Sequence, residues 1–286
     1  MSKLVFFHAK VYFVAVSLFY LYTILIVSRM FTNKVVLVTG ASSGIGAETA
    51  IEFAKQDAKL VLTGRNKENL EKTAKECEVA SPSKLTPFSV IADIDKEADV
   101  ERLMKETINN FKQLDVLVNN AGIMQIGSIE NTSLAQYDSI MNTNVRGPYH
   151  LTMLASPHLV KSKGNIVNVS SVAGLRSFPG ILAYCMSKAA LDQFTRCVSL
   201  ELASKGVRVN AVNPGVIETG IHLRGGVSEE DYAAYLVKCK ETHALGRTGT
   251  TKEVANTILF LASEGASNIT GATISVDGGR HAMCPR

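Results

Sequence analysis

Tyr184 and Lys188, which have three residues between them, form the pair in this chain best suited to proton transfer. On a helix, residues four apart lie on the same face, one turn from each other. A tyrosine hydroxyl ordinarily has a pKa of about 10, and a neighbouring ammonium group lowers that pKa because it favours the phenolate. The spacing therefore predicts a general acid/base near neutral pH. Such pairs also arise by chance on surface helices, so the rest of the chain must support this interpretation.

A glycine-rich turn near the start of the chain is the second chemical signal. Residues 35–38 are typical of a strand buried on both faces, and they lead into Thr39-Gly40-Ala41-Ser42-Ser43-Gly44-Ile45-Gly46. Glycines there let the backbone approach a pyrophosphate at the amino terminus of the next helix, predicted at residues 47–55. The glycine spacing differs from the G-x-G-x-x-G of many dinucleotide-binding folds. Its place between a strand and a helix nevertheless predicts a dinucleotide site.

Strands and helices alternate along the rest of the chain. Apolar runs predict seven strands, at residues 35–38, 59–63, 86–92, 116–118, 164–169, 208–212 and 271–276. Helical patterns between them cover residues 47–55, 67–77, 99–111, 137–154 and 184–202. There is no internal repeat and no second hydrophobic pattern. The order predicts an α/β fold, a single doubly wound Rossmann-type domain over residues 30–286 with a parallel seven-stranded sheet flanked by helices.

The ends of the second and third strands bear on the choice of dinucleotide. NAD-binding domains tend to place an acidic residue after the second strand for the ribose hydroxyls, whereas Gly64 and Arg65 stand there in this chain. Arg65 can pair with a 2′-phosphate, or it is a solvated loop arginine. We predict NADP(H) over NAD(H), although Ser43 occupies a turn position that is often basic in NADP-binding proteins. Asp93 is predicted either to accept from the adenine amino group or to cap the helix that begins near Lys96.

Polar residues follow two further strands and interrupt one helix. Residues 119–122 (Asn-Asn-Ala-Gly) follow the fourth strand, where small side chains let a ribose approach the backbone. Ser171 follows the fifth strand, at the carboxyl edge of the sheet where α/β sites form. Asn144 lies within the predicted helix at 137–154, and asparagine is a poor helix former. It therefore indicates a polar task, such as holding a water, or a local break in the helix.

The bulk composition excludes some classes of function. A net charge of +4 over 286 residues, with 46% hydrophobic and 20% charged residues, is ordinary for a globular protein. No basic block of the kind that binds nucleic acid is present. The five cysteines have neither metal-ligand nor disulfide-framework spacing, so we expect reduced thiols and no metal site: Cys77, Cys185, Cys197, Cys239 and Cys284.

An uncharged apolar run at residues 11–27 is the one compositional anomaly. It reaches the short end of the roughly 17–25 residues that span a bilayer, and basic residues flank both of its ends, so charge assigns no orientation. No small-residue cleavage site precedes Met30, which favours a retained anchor over a cleaved signal. We predict that residues 1–29 form a hydrophobic segment that associates with a membrane, for example the endoplasmic reticulum. The alternatives are a helix packed on the domain, synthesis from Met30, and a cytoplasmic location.

Taken together, these motifs resemble the short-chain dehydrogenase/reductase family, in particular its 3-oxoacyl-acyl-carrier-protein-reductase-like group, over residues 32–277. The glycine turn is similar to the family's cofactor turn, and residues 119–122 are similar to its central-strand motif. Four residues match the catalytic tetrad: Asn144, Ser171, Tyr184 and Lys188. The resemblance implies cofactor contacts by Gly40, Ser42, Ser43, Gly44, Ile45, Gly46, Arg65, Asp93, Ile94, Asn120, Ala121, Gly122, Tyr184, Lys188, Pro214, Gly215, Ile217 and Thr219.

The resemblance also implies a mechanism and its participants. Tyr184 would exchange a proton with the carbonyl oxygen, Ser171 would orient that oxygen, and Lys188 would lower the Tyr184 pKa and hold the nicotinamide ribose. Asn144 would position a water that relays protons to Lys188. The hydride chemistry belongs to the cofactor. A non-catalytic dinucleotide-binding protein is the alternative, and the intact tetrad argues against it.

Residues 220–246 are the expected substrate lid. Their apolar content predicts a hydrophobic carbonyl or alcohol substrate, such as a 3-oxoacyl thioester, a steroid-like or isoprenoid ketone, or a retinoid-like aldehyde. Ile221 and His222 are the predicted substrate contacts. The alternative is that the lid's apolar side chains pack on the lid's own helix instead of lining the pocket. The resemblance further implies a homo-oligomer, paired through the Tyr184 helix, the helix before it and the final strand.

Overall fold

The computed structural model describes residues 29–283, and in that range it contains one sheet of seven parallel strands. The strand order is β3-β2-β1-β4-β5-β6-β7. The predicted fold class is confirmed. The strands are β1 Val35–Thr39, β2 Lys59–Gly64, β3 Phe88–Ile91, β4 Val116–Asn119, β5 Asn165–Val169, β6 Arg208–Pro214 and β7 Thr273–Val276.

Helices cover both faces of the sheet. They are α1 Gly44–Lys55, α2 Lys67–Ala80, α3 Glu97–Phe111, α4 Leu134–Met141, α5 Gly147–Ser162, α6 Val172–Leu175, α7 Leu182–Ala203, α8 Ile221–Arg224, α9 Glu229–Thr242 and α10 Thr251–Ala262. One apolar cluster joins α1, α2 and α10 to the sheet, and another joins α3, α5 and the end of α7 to its opposite face. Because both faces are covered, every residue of β1 is buried.

The strand order creates the place where a ligand can bind. The chain runs outward from β1 through β2 to β3, then returns to pair β4 with the other side of β1. The connections that leave β1 and β4 therefore diverge, and a crevice opens at the carboxyl ends of these strands. The glycine turn follows β1 and residues 119–122 end β4, so both predicted cofactor motifs lie at this crevice.

A buried chain of polar side chains fixes α5 and α7 to the sheet. Asn119 donates through Nδ2 to Thr152 Oγ1 at 3.1 Å and to Asn168 Oδ1 at 2.9 Å. Asn168 in turn donates to Thr195 Oγ1 on α7 at 2.9 Å. Because buried polar groups without partners cost free energy, these bonds favour one position of α7 along the sheet. That position determines where the side chains near the start of α7 lie.

Two elements differ from the sequence prediction in informative ways. The region predicted as one helix at 137–154 is interrupted by a π-helical turn, Asn142–Arg146, which contains Asn144; such turns are frequent at functional sites. The prediction that β6 ends at residue 212 is wrong. Pairing with β7 continues through Pro214, because a proline at the last position of a strand disturbs little of the ladder.

The predicted membrane segment, residues 11–27, lies outside the described residues. Among residues 29–283, no helix combines the length and the apolar character that crossing a bilayer requires. The described chain begins with contacts to the domain. Arg29 Nη1 lies 2.8 Å from the buried Asp57 Oδ2, and the buried Phe31 ring packs edge-on against Phe53 at 4.7 Å.

Candidate active site

A cleft of about 900 Å³ lies at the carboxyl ends of the strands. One end is bounded by Arg65 and Asp93, and the other by Tyr235 and Arg280. Of the predicted site residues, all but Gly46 and Asn144 line this cleft. Gly46 instead lies beneath the glycine turn, where an added Cβ would clash with the Gly40 carbonyl oxygen.

Helix α7 carries Tyr184 and Lys188 to the middle of the cleft. Its buried positions recur every three to four residues and face the sheet: Ser187, Lys188, Leu191, Asp192, Thr195 and Ser199 among them. Lys188 Nζ lies 5.7 Å from the centre of the Tyr184 ring. It donates a hydrogen bond of 2.9 Å to the carbonyl oxygen of Val169, the last residue of β5. The two side chains therefore meet on one face, as the spacing predicts.

The ionisation of this pair differs from the sequence prediction. Burial raises the pKa of Tyr184 to about 12, and a hydrogen bond with Ser171 opposes only part of that rise. Burial lowers the pKa of Lys188 to about 8, against the opposing charge of Asp192. A net lowering of the Tyr184 pKa is therefore not found in this arrangement, because loss of solvent dominates and the ammonium group is directed at the Val169 carbonyl. The effect of Lys188 itself stays a prediction. The phenol is protonated at neutral pH.

Ser171 lies beside the phenol, at the end of β5. It is the N-cap of α6, and its Oγ accepts a hydrogen bond of 3.1 Å from the Ala173 backbone N–H. Since that bond uses a lone pair, the hydroxyl hydrogen remains available to donate to another oxygen. The Ser171 carbonyl oxygen accepts from Asn213 Nδ2 at 2.9 Å, which holds the strand end in place.

Asn144 is fully buried behind the cleft rather than in it. Its Oδ1 accepts from the Ile123 backbone N–H at 2.8 Å, and its Nδ2 donates to the Ile123 carbonyl oxygen at 2.8 Å and to Ser187 Oγ at 3.0 Å. Gly122 lies close to both Asn144 and Lys188. A Cβ on Gly122 would lie 3.3 Å from Asn144 Oδ1 and 3.5 Å from Lys188 Nζ.

Asp192 is a buried carboxylate beneath the site that the sequence did not predict. Asp192 lies one turn after Lys188 on α7, is 1% exposed, and accepts from Asn213 Nδ2 at 3.0 Å. Burial raises the pKa of Asp192, although hydrogen bonds from Ser170 and Asn213 oppose this. A signal was present, because an acidic residue four positions after Lys188 shares its face of the helix. Asn213, which follows the predicted end of the sixth strand, is the partner that makes this burial tolerable.

The other half of the cleft has the shape that a dinucleotide requires. Gly40 adopts a positive φ of 63°, and a Cβ there would lie 2.9 Å from the Ala121 Cα, so the turn and β4 approach closely. Thr39 Oγ1 accepts from the backbone N–H groups of Asn120 and Ala121, both at 2.9 Å. Helix α1 begins at Gly44 with no acidic residue in its first turn and no side-chain cap. Its first N–H groups are therefore available to an anion such as a pyrophosphate.

The adenosine end is bounded by the residues that follow β2 and β3. Arg65 is exposed at the cleft wall, and Asn66 caps α2 by accepting from the Asn69 N–H at 2.9 Å. Asp93 lines the cleft and accepts from the Asp95 N–H at 3.3 Å. It does not cap α3, whose N-cap is Lys96. The predicted helix cap by Asp93 is therefore not found, and its contact with the adenine amino group stays a prediction.

The substrate end is formed by α8, α9 and the carboxyl-terminal turn. Ile221 and His222 both line it, as predicted. His222 is half-buried, stacks on Tyr232 with ring centres 5.2 Å apart, and lies 5.6 Å from the Tyr235 ring. Burial lowers the pKa of His222, and the nearby charge of Arg280 lowers it further. Arg280 carried no sequence signal, because it reaches the cleft only when the chain end folds back.

The chain belongs to the short-chain dehydrogenase/reductase family. Residues 40–281 match a family model described as enoyl-(acyl carrier protein) reductase. The chain is accordingly an NAD(P)-dependent oxidoreductase that acts on CH–OH and carbonyl groups.

Three similar proteins illustrate the breadth of this family. The chain is 36% identical over 248 residues to a 3-oxoacyl-(acyl-carrier-protein) reductase of Thermotoga maritima, covering 86% of this chain and 97% of that protein. It is 39% identical over 251 residues to an L-xylulose reductase of Caenorhabditis elegans, covering 87% and 96%. A 3-ketoacyl-(acyl-carrier-protein) reductase of Brucella melitensis, solved with NADH, is 34% identical with a TM-score of 0.79, covering 87% of this chain and 99% of that one.

The buried ammonium group of Lys188 should make stability depend on pH. Its folded-state pKa of about 8 lies below the ordinary value of 10.5, so the unfolded chain binds more protons between these values and the free energy of unfolding rises with pH there. Relative to Lys188→Met, the unmodified chain should gain about 1 kcal/mol between about pH 7 and pH 9. Urea titrations across this range measure the gain.

The comparison with a variant removes the contributions of other titrating groups. Lys75→Met, at an exposed position of α2, is the matched control, and its free energy of unfolding should differ from that of the unmodified chain by the same amount at every pH. If the difference for Lys188→Met is also independent of pH, that would contradict the burial of a charged lysine.

Proposed function

We propose that this protein is an NADP(H)-dependent oxidoreductase that interconverts a hydrophobic ketone or aldehyde and its alcohol. The supporting observation is that the Ser171 and Tyr184 side chains both line the cleft beside Lys188. Two hydroxyl donors beside each other can bind one carbonyl oxygen. Apolar side chains line the adjoining end of the cleft, which favours an apolar substrate: Ile126, Phe178, Ile181, Ile221 and Val227.

In the reductive direction, Tyr184 is the proton donor. Because burial keeps the phenol protonated at neutral pH, it can give its proton to the carbonyl oxygen as negative charge develops there. Ser171 holds the same oxygen with its free hydroxyl hydrogen. A nicotinamide cofactor, when bound, supplies the hydride. The chain's own contribution is to orient the carbonyl group and to deliver the proton.

Lys188 and Asn144 return a proton to the site. Lys188, with a pKa of about 8, can release and recover a proton near neutral pH. A Cβ on Gly122 would lie near both Asn144 Oδ1 and Lys188 Nζ, so these two polar atoms face the same side of this glycine, and a water that reaches both would bridge them. Asn144 thus acts by positioning such a water, and its three hydrogen bonds to protein groups fix its amide for that role.

Replacing Tyr184 should abolish turnover without preventing cofactor binding. Tyr184→Phe removes only the hydroxyl group, so we expect kcat to fall by roughly a hundredfold or more, while the Kd for NADPH changes by less than about threefold. NADPH absorbance and fluorescence titration measure the two quantities. Tyr137→Phe, at a half-buried position of α4 that does not line the cleft, is the matched control. Turnover by Tyr184→Phe at the unmodified rate would remove Tyr184 from its proposed role.

The preference for NADP(H) rests on the end of β2. No acidic residue follows this strand, and the exposed Arg65 borders the cleft beside Asn66 and Asn69. An acidic residue there would favour the ribose hydroxyls of NAD, whereas a guanidinium group favours a 2′-phosphate. NAD(H) is the second candidate, because a solved relative binds NADH.

Reversing the charge at this position should reverse the preference. For Arg65→Asp, we expect the ratio of kcat/KM values, NADPH over NADH, to fall by roughly ten- to a hundredfold. Lys75→Asp makes the same charge change on the exposed face of α2 and should leave the ratio unchanged. A ratio that is equal in the Arg65→Asp variant and the unmodified chain would mean that another residue recognises the 2′-phosphate.

An apolar surface supports a homo-oligomer. Tyr149 and Met153 of α5 and Leu200 of α7 are more than half exposed, and Tyr149 packs against Phe194 across the two helices at 6.0 Å. β7 is an edge strand of half-buried residues. These are the elements through which we propose that subunits pair.

We also propose that catalysis belongs to residues 30–286 and that residues 11–27 attach the protein to a membrane. The uncharged apolar run is the support for attachment. Because Arg29 pairs with the buried Asp57, a truncation should keep Arg29.

A chain without residues 1–28 should remain active and oligomeric in detergent-free buffer. We expect its kcat to agree with that of the full chain in detergent to within about twofold. Activity assays and sedimentation velocity measure the two properties. An aggregated or inactive product would instead indicate that the apolar run packs on the domain.

A further inference from the structure

The carboxyl-terminal turn places an arginine at the substrate end of the cleft. Gly278 and Gly279 have positive φ values of 59° and 80°, so the chain reverses within a few residues. The Asp277 carboxylate holds this turn by accepting from the Gly279 N–H at 3.0 Å and the His281 N–H at 2.6 Å. Arg280 lies between these anchors and lines the cleft.

The guanidinium group of Arg280 is held by aromatic side chains rather than by a carboxylate. It stacks over the Phe178 ring at 4.7 Å and donates to the Tyr235 hydroxyl at 3.1 Å. The carboxylate of Asp277 is engaged by the turn and by the His281 ring at 2.9 Å. Among residues 29–283, Arg280 has no carboxylate within ion-pair distance. A half-buried, oriented and uncompensated cation suits an anionic ligand.

His222 provides a second polar group beside this cation. It is wedged against Tyr232 and Tyr235, and its Nδ1 is buried with no hydrogen-bond partner among the described residues. Buried polar atoms ordinarily have partners. The outer rim adds the exposed Arg224 and Lys238 against the single carboxylate of Asp231, so the substrate end as a whole is positive.

We propose that Arg280 and His222 form a subsite for an anionic oxygen group, a carboxylate or a phosphate, at the far end of the substrate. The inference rests on the proposed oxidoreductase function and narrows its substrate class. The substrate is an amphipathic carbonyl compound, with its carbonyl oxygen at Ser171 and Tyr184, an apolar body along Phe178 and its anion at Arg280. Bidentate pairing with the guanidinium fork sets the orientation of the substrate.

A binding measurement tests the subsite without turnover. The full chain, saturated with NADP⁺, is titrated by calorimetry with heptanoate, hexyl phosphate and heptanamide, which share a hexyl chain and which NADP⁺ cannot oxidise as alcohols. We expect at least one of the two anions to bind roughly tenfold or more tighter than the neutral amide, and the stronger of the two identifies the group. Equal affinity for all three ligands would overturn the proposal, whatever any variant does.

Variants assign the anion preference to Arg280. Arg280→Gln should remove it, and Arg280→Lys should restore part of it because a point charge replaces the planar fork. Arg196→Gln, which removes one positive charge from an exposed position of α7, should leave it unchanged. A preference that persists in a folded Arg280→Gln protein would overturn the assignment, and thermal unfolding establishes that the variant is folded.

Turnover separates this inference from the function on which it rests. A series of oxo acids of increasing chain length is compared with the corresponding methyl esters. The acid should have the higher kcat/KM, and Arg280→Gln should raise KM for the acid while leaving the ester unaffected. Reduction of acids and esters with equal kcat/KM would refute the subsite alone. Anion-selective binding without reduction of any carbonyl would refute the proposed reaction alone.

Discussion

Lys188 carries an ammonium group into the protein interior at the carboxyl end of β5, and the neighbouring residues are arranged around this buried charge. It is 3% exposed and bonded to the Val169 carbonyl oxygen. An unpaired buried cation is costly, and the cost is reduced here by the Asp192 carboxylate one turn further along α7. Asp192 is itself held by Asn213 at the end of β6. The charge therefore couples α7 to the ends of β5 and β6, where Ser171 also lies.

Uncharged side chains between the sheet and α7 favour the same position of this helix. The hydrogen-bonded chain from Thr152 through Asn119 and Asn168 to Thr195 crosses the sheet between the two helices. Gly122, which follows β4, has no side chain, so the backbone there can lie close to Lys188 and Asn144. Rigid strands and a helix with satisfied polar contacts thus hold the reacting hydroxyls, which is what oriented catalysis requires.

Local patterns predicted the fold because the central strands β1, β4 and β5 are buried over their whole length and strands alternate with helices along the chain. The glycine turn and the Tyr184–Lys188 spacing are equally local, so their meeting at the crevice could be predicted. The ionisation of Tyr184 could not, since its pKa depends on burial by distant segments and on a Lys188 contact to Val169. Arg280 was invisible for a similar reason, because its partners Phe178 and Tyr235 are far away in sequence.

In the function that we propose, chemistry and substrate recognition are carried by different parts of the molecule. Ser171, Tyr184 and Lys188 stand on strand ends and on α7, which the buried polar contacts fix. His222, Tyr235 and Arg280 stand on α8, on α9 and on the carboxyl-terminal turn, where fewer residues are buried. A change in the second group alters which molecule is bound and leaves the proton donor in place. Such a division would explain why a 3-oxoacyl-(acyl-carrier-protein) reductase and an L-xylulose reductase share about the same identity with this chain.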